Sequence, residues 1–199
     1  MKTKHLLRST LAGAVLAGAS FASLPTLAAD YVIDTEGAHA FINFKIQHLG
    51  YSWLTGRFND FDGTFSYDSD NVADSKITVN IRTNSVDSNH AERDKHLRGS
   101  DFLDVSKNPT AKFVSTGIKD IDDGGDEFDI VGDFTLNGVT KSITIEVEKV
   151  GEGSDPWGGY RVGFEGETEL RLKDFGIDYN LGPASEVVKL ELHVEGIRQ

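Results

Sequence analysis

With 199 residues the chain is long enough for one domain with a sizeable core, and 32 acidic against 20 basic side chains leave a net charge of −12. Such a surface repels phosphate backbones and gains nothing from anionic lipid by charge alone, so nucleic acid is a poor partner. Cysteine is absent, which excludes a disulfide framework, a thiolate nucleophile and a thiolate metal site.

The first segment reads as a leader. Lys2, Lys4 and Arg8 precede a short apolar stretch from Leu11 to Phe21, and Thr26-Leu27-Ala28 supplies small residues for a signal peptidase. A signal peptide over residues 1–28 is expected, cleaved after Ala28 or, as the second choice, after Ala29. The apolar run falls short of the about 20 residues that span a bilayer. What remains, residues 29–199, has a net charge of −15 and is expected to be one domain, exported to the periplasm, with no direct membrane span.

Period-two alternation then dominates. Ile42, Phe44 and Ile46 share a parity, as do Phe61, Phe65 and Tyr67, and Ile77, Val79 and Ile81. Each run predicts a strand with one apolar face. The pattern breaks between Asp87 and Leu103. Asn89 with Glu92 reads as a capping box and Gly99 as a stop, which predicts a short helix. It is heavily charged. If Leu97 faces the protein, Asp94, Arg93 and His90 share that face and hold their charges at the mouth of whatever lies below.

Alternation resumes from Phe113 to Ile121, then at Phe128, Ile130, Phe134 and Leu136. Asn137-Gly138 is a strong hairpin signal before Ile143, Ile145 and Val147. Asp155-Pro156-Trp157-Gly158-Gly159 makes a loop before Phe164, Thr168 and Leu170, and Leu181-Gly182-Pro183 makes another before Val188, Leu190, Leu192 and Val194. This gives about eight antiparallel strands. The pattern alone divides a barrel and a two-sheet sandwich about evenly.

Several of these segments are characteristic together. His39-Ala40-Phe41, Gln47-His48-Leu49-Gly50-Tyr51-Ser52-Trp53, Phe61-Asp62-Gly63-Thr64-Phe65 and Asn89 to Arg98 are followed by Leu136-Asn137-Gly138-Val139-Thr140-Lys141, Asp155 to Gly159 and Leu181-Gly182-Pro183-Ala184-Ser185. In this order and spacing the chain resembles the YceI-like family of exported proteins along its whole mature length. The resemblance implies an all-β, roughly eight-stranded antiparallel lipocalin-like barrel with a short charged helix over one end. It also implies an apolar cavity for an isoprenoid lipid, with a polyprenyl or quinone chain as the expected ligand class. No obligatory cofactor is implied beyond a bound isoprenoid lipid or isoprenoid quinone. A quinone ligand would bring transient contact with an inner-membrane quinone-linked protein.

Phe44, Ile46, Phe65, Val79, Phe134, Leu136, Phe164 and Leu170 are the cavity-lining candidates by parity. His90, Arg93, Asp94 and His96 are the candidates at the head group or mouth. A planar guanidinium suits a diphosphate, and an imidazole suits a quinone carbonyl; mutual pairing of Arg93 or Arg98 with Asp94 or Asp101 is the plainer alternative. Trp53, Gly50 and Gly56-Arg57-Phe58 are candidates for the opening. No H-E-x-x-H occurs, and His90–Asp94 is the one tempting helical pair, so no metal is expected. There is no G-x-S-x-G elbow, Glu165, Glu167 and Glu169 read as solvent-facing, and no catalytic residue is expected. A quinone-dependent redox partner or enzyme is the alternative function.

Overall fold

Hydrophobic alternation becomes barrel wall. The computed structural model describes residues 28–179 and 181–199; apart from Ala28, the expected leader lies outside the described residues. The strands are β1 (Ala29–Ile33), β2 (Phe41–His48), β3 (Ser52–Phe58), β4 (Phe61–Tyr67), β5 (Lys76–Arg82), β6 (Val86–Asp87), β7 (Thr110–Lys119), β8 (Glu127–Leu136), β9 (Val139–Ser154), β10 (Tyr160–Arg171) and β11 (Val187–Arg198), with helix α1 (Ala91–Leu97) between β6 and β7.

These strands make eight walls, because three consecutive pairs act as single staves. β1 continues into β2 across the 34–40 bulge, β3 into β4 across Asn59-Asp60, and β5 into β6 across the 3₁₀ turn Thr83–Ser85. β2 pairs with β3 (His48 opposite Ser52) while β1 pairs with β4 (Tyr31 opposite Phe65). Every neighbour is antiparallel, and β11 closes the ring on both halves of the first stave: Leu190 faces Phe44 of β2, and Ile197 faces Val32 of β1. Closure joins the eight staves into one ring, with β9 and β10 parting above the Glu146–Glu167 rung. This is the eight-stranded antiparallel barrel, not the sandwich.

A small barrel has room for large inward rings only if something beside them is small. Phe44 lies over Gly56, its partner across β2–β3, where a Cβ would come within 2.3 Å of the ring and 2.7 Å of the Asp87 carbonyl oxygen. Phe113 leans over Gly132 in the same way. Gly56 is therefore a wall residue that makes space for Phe44, not part of an opening.

The upper end, where β6 leads to β7, carries α1, the turns over residues 99–107 and the loop residues 176–179 and 181–186. The helix starts one residue later than expected. Asn89 sits in the left-handed region (φ 61°), and His90 is the N-cap, its ring Nδ1 accepting the Arg93 N–H at 3.2 Å. Asn89 therefore cannot close the expected capping box.

Candidate functional site

The lumen is an hourglass. An upper chamber of about 320 Å³ lies beneath α1, and a lower one of about 110 Å³ lies between β4, β5, β8 and β10. Ile42, Ile81, Phe134 and Leu190 line both and form the waist. The upper chamber alone reaches the roughly 300 Å³ at which small-molecule sites begin.

Rings explain why the lower chamber is small. Phe164 is their hub: Phe65, Tyr67 and Phe128 meet it edge-on with centroids 5.8, 5.1 and 6.1 Å away. Tyr31 stacks on Phe65 at 4.9 Å. At the top, Phe175 is buried and packs edge-on against Phe134 at 5.7 Å, filling the space between the waist and the 3₁₀ turn Leu172–Phe175.

All eight parity candidates line this lumen. Phe44, Ile46, Leu136 and Leu170 face the upper chamber; Phe65, Val79 and Phe164 face the lower; Phe134 belongs to both. Leu54, Phe58 and Val188 complete the upper walls, while Leu97, Phe102, Ile177 and Leu181 roof them. Leu97 is where the helical pattern put it, whereas Phe102, Ile177 and Leu181 went unread because irregular segments carry no period; the apolar identity of these side chains between polar neighbours was the one signal available.

The four mouth candidates separate. Arg93 and His96 line the upper chamber; His90 and Asp94 do not. His90 is exposed because an N-cap residue is extended (φ −155°), so helical face arithmetic does not reach it. Asp94 is buried with its carboxylate turned to Ser88, where Oδ1 accepts the Ser88 backbone N–H at 2.7 Å and also the Ser88 hydroxyl. Burial pushes the Asp94 carboxyl up, and the two Ser88 hydrogen bonds outweigh it, so the group is held below the usual carboxylate range.

Arg93 donates from Nε to Ser88 Oγ at 2.7 Å and from Nη2 to Ser88 O at 2.6 Å. Arg93 and Asp94 thus communicate through Ser88 and form no direct ion pair. Nη1 takes no part in these two bonds. His96 lies against Asp101 (Nε2 to Oδ2, 3.0 Å), with Phe102 and Tyr179 edge-on to its ring at 4.9 and 5.1 Å. Arg98 is bound to the Asn84 and Val86 carbonyls and braces α1 against β6.

Glu165, Glu167 and Glu169 are exposed on β10. The one set of potential metal ligands among the described residues is Asp34, His39 and Glu195 at the lower end. Its carboxylates already hold Arg161, whose Nη1 donates to Asp34 Oδ2 at 2.6 Å and to Glu195, while Nε reaches Asp155 at 2.9 Å. Both carboxylates of this set are thus already bound to a guanidinium.

Comparison with known proteins fits this geometry. A YceI-like domain matches residues 31–196. The chain belongs to the YceI-like family. A UPF0312 protein of Pseudomonas aeruginosa strain LESB58 is 61% identical over 194 residues, 98% of this chain and all of that protein. Protein YceI of Escherichia coli O157:H7 is 56% identical over 193 residues, 97% of this chain and all of that one. Among solved structures, the Campylobacter jejuni YceI protein superimposes with a TM-score of 0.69 at 26% identity, covering 78% of this chain and 91% of its own. A polyisoprenoid binding domain from Saccharophagus degradans shares the fold of this YceI-like barrel (TM-score 0.62, 15% identity, 87% and 100% covered).

Proposed function

We propose that the protein binds an isoprenoid-type lipid, a polyprenyl or quinone chain, and carries it without chemical change. The chain occupies the lumen, its leading end passes the waist, and its polar head stays beneath α1 near Arg93 and His96. The observation that carries this reading is the distribution of polarity along the lumen. The surface below the waist is almost wholly hydrocarbon, with Lys76 and Glu165 only at its margin, whereas Gln47, His48, Arg93 and His96 give the helix-covered chamber polar surface.

The energetics agree. Each Å² of ligand surface taken from water contributes roughly 25 cal/mol, so a long prenyl chain binds by burial and needs few polar contacts. The methyl branches of an isoprenoid suit walls of phenylalanine and branched aliphatic residues. The polyisoprenoid-binding relative with the same fold supports the ligand class. Export to the periplasm belongs to the proposal and is supported by the reading of residues 1–28. Carriage and not turnover is supported by the mouth groups, which hold one another in fixed bonds: Arg93 to Ser88, Ser88 to Asp94, His96 to Asp101.

The test is direct. The mature protein is purified from its native compartment, extracted with organic solvent, and the extract analysed by mass spectrometry. A prenyl lipid in stoichiometric amount is the expected result. Protein that emerges empty, and then takes up no isoprenoid quinone or polyprenyl phosphate after delipidation, sinks the proposal.

A further inference from the structure

The upper end carries apolar side chains on its outside as well as its inside. The β2–β3 hairpin projects there, and its tip is Leu49, Gly50 and Tyr51, with Trp53 on the outer face of β3. Leu49 is 53% exposed, Tyr51 88% and Trp53 51%. Gln47, His48 and Leu49 also line the upper chamber, so the exposed tip is continuous with the mouth.

The turn itself is unusual. Leu49 (φ 53°) and Gly50 (φ 80°) are both left-handed, and the Tyr51 N–H donates to the His48 carbonyl at 2.9 Å, as in a type I′ turn. The same barrel builds the β8–β9 turn with Asn137 (φ 50°) and Gly138 (φ 74°). Asparagine is at home in that position; a bulky leucine there is strained. The β2–β3 turn therefore holds an exposed apolar side chain in a backbone state that disfavours it, a pattern found where side-chain function outweighs local stability.

Charge is distributed so as to orient the molecule. At the opposite end, the β4–β5 loop carries Asp68, Asp70 and Asp74, and the β7–β8 loop carries Asp120, Asp122, Asp123 and Asp126, with no lysine or arginine in residues 68–75 or 120–126. The β2–β3 turn over residues 49–51 has no acidic residue, and across residues 88–109 Arg93, Lys95, Arg98 and Lys107 match Glu92, Asp94, Asp101 and Asp104, while the neighbouring loop adds the acids Asp178 and Glu186 to the upper end. Even with Lys119 and Lys149 paired to Asp120 and Asp126, the lower end is the more acidic, and phosphate-bearing surfaces repel it more than the upper end.

We infer that the β2–β3 tip docks in the headgroup–acyl boundary of a phospholipid bilayer. Leu49 inserts there, Tyr51 and Trp53 lie at headgroup level, and the upper chamber opens onto the membrane. Tyrosine and tryptophan have an apolar body and a polar edge, which suits that boundary. The contact is driven by apolar burial and oriented by the acidic lower end. It deepens the carrier reading, on which it rests only for its purpose, by naming the phase with which ligand is exchanged.

The two tryptophans make a built-in test, because Trp157 lies in the β9–β10 loop at the acidic end, stacked against Arg161 at 5.6 Å. Trp157→Phe leaves Trp53 as sole reporter, and Trp53→Phe leaves Trp157. Phosphatidylcholine vesicles with dibrominated acyl chains should quench and blue-shift Trp53 and leave Trp157 unchanged, with both variants sedimenting with the vesicles. Leu49→Asn relieves the turn and keeps the fold, so its expected loss of vesicle partitioning, about tenfold, cannot come from unfolding. Unquenched Trp53, equal quenching of both tryptophans, or Leu49→Asn partitioning like the parent would overturn the inference. So would absence of sedimentation, including the case where ultracentrifugation shows instead a dimer that Leu49→Asn dissolves. Uptake of isoprenoid quinone from cyclodextrin, without vesicles, separates the two readings. Normal uptake without docking removes the membrane contact and spares the carrier; docking without uptake does the reverse.

Discussion

Ser88 stands between two opposite charges and decides what each can do. Its hydroxyl accepts from Arg93 Nε and donates to Asp94, and its carbonyl holds Arg93 Nη2. The guanidinium is thereby fixed in place beside the upper chamber, which Arg93 lines. Arg93→Ala should weaken binding of a quinone or polyprenyl phosphate more than that of an alkane of equal length; equal loss for both, measured by competitive displacement, would show that Arg93 only supports α1. Ser88→Ala should destabilise the fold by about 1–3 kcal/mol in urea titrations, because it leaves the buried Asp94 and the half-buried Arg93 each one bond short. It should also raise the Asp94 carboxyl toward the usual carboxylate range, since the hydroxyl is one of the two bonds that outweigh its burial. An NMR titration that finds Asp94 unmoved would contradict that account.

Among the elements, turns and wall glycines have opposite tolerances. Leu49→Asn converts the β2–β3 turn to the residue pair already used at β8–β9 and should raise stability by about 1 kcal/mol, read as a higher denaturant midpoint at unchanged m. Gly56→Ala should do the reverse, by roughly 1–3 kcal/mol, since the new methyl meets the Phe44 ring and the Asp87 backbone oxygen. A stable Gly56→Ala protein would mean that β3 can move outward, and that the upper chamber is wider than its walls suggest. Helix α1 has only seven residues, so moving its cap by one residue matters. Each helical residue turns the face by about 100°, and His90, being the cap, leaves the face altogether. Sequence reasoning misjudged that residue because a left-handed Asn89 is invisible to a capping pattern.

For the molecule as a whole, the wall was legible in the sequence and the contents were only partly so. Period-two runs name which residues point inward, and the lining candidates follow from parity. Closure does not follow, because a sandwich alternates identically; it came from the motif resemblance. The division into two chambers depends on how Phe164 meets three other rings, and the roof on Phe102, Ile177 and Leu181 in irregular chain, so neither leaves a periodic trace. The lower end has its own fastening. Arg161 ties the 34–40 bulge to β10 and β11, and its hydrogen bond, against the opposing effect of burial and helped by His39, lowers the Asp34 carboxyl from 3.8 to about 2. A depressed carboxylate contributes stability that is whole above its ordinary value and lost as pH falls through about 2. The denaturant midpoint should fall over that window, by up to about 2 kcal/mol of stability, and Asp34→Asn should flatten the fall. The hourglass, finally, has a kinetic meaning. A prenyl tail that stops above Ile42, Ile81, Phe134 and Leu190 leaves in one movement, whereas a threaded tail must wait for four packed side chains to part. Residence time should therefore rise in a step as isoprene units are added, while equilibrium affinity climbs smoothly. Stopped-flow release from Leu190→Trp, which plugs the bottleneck, should show the step gone.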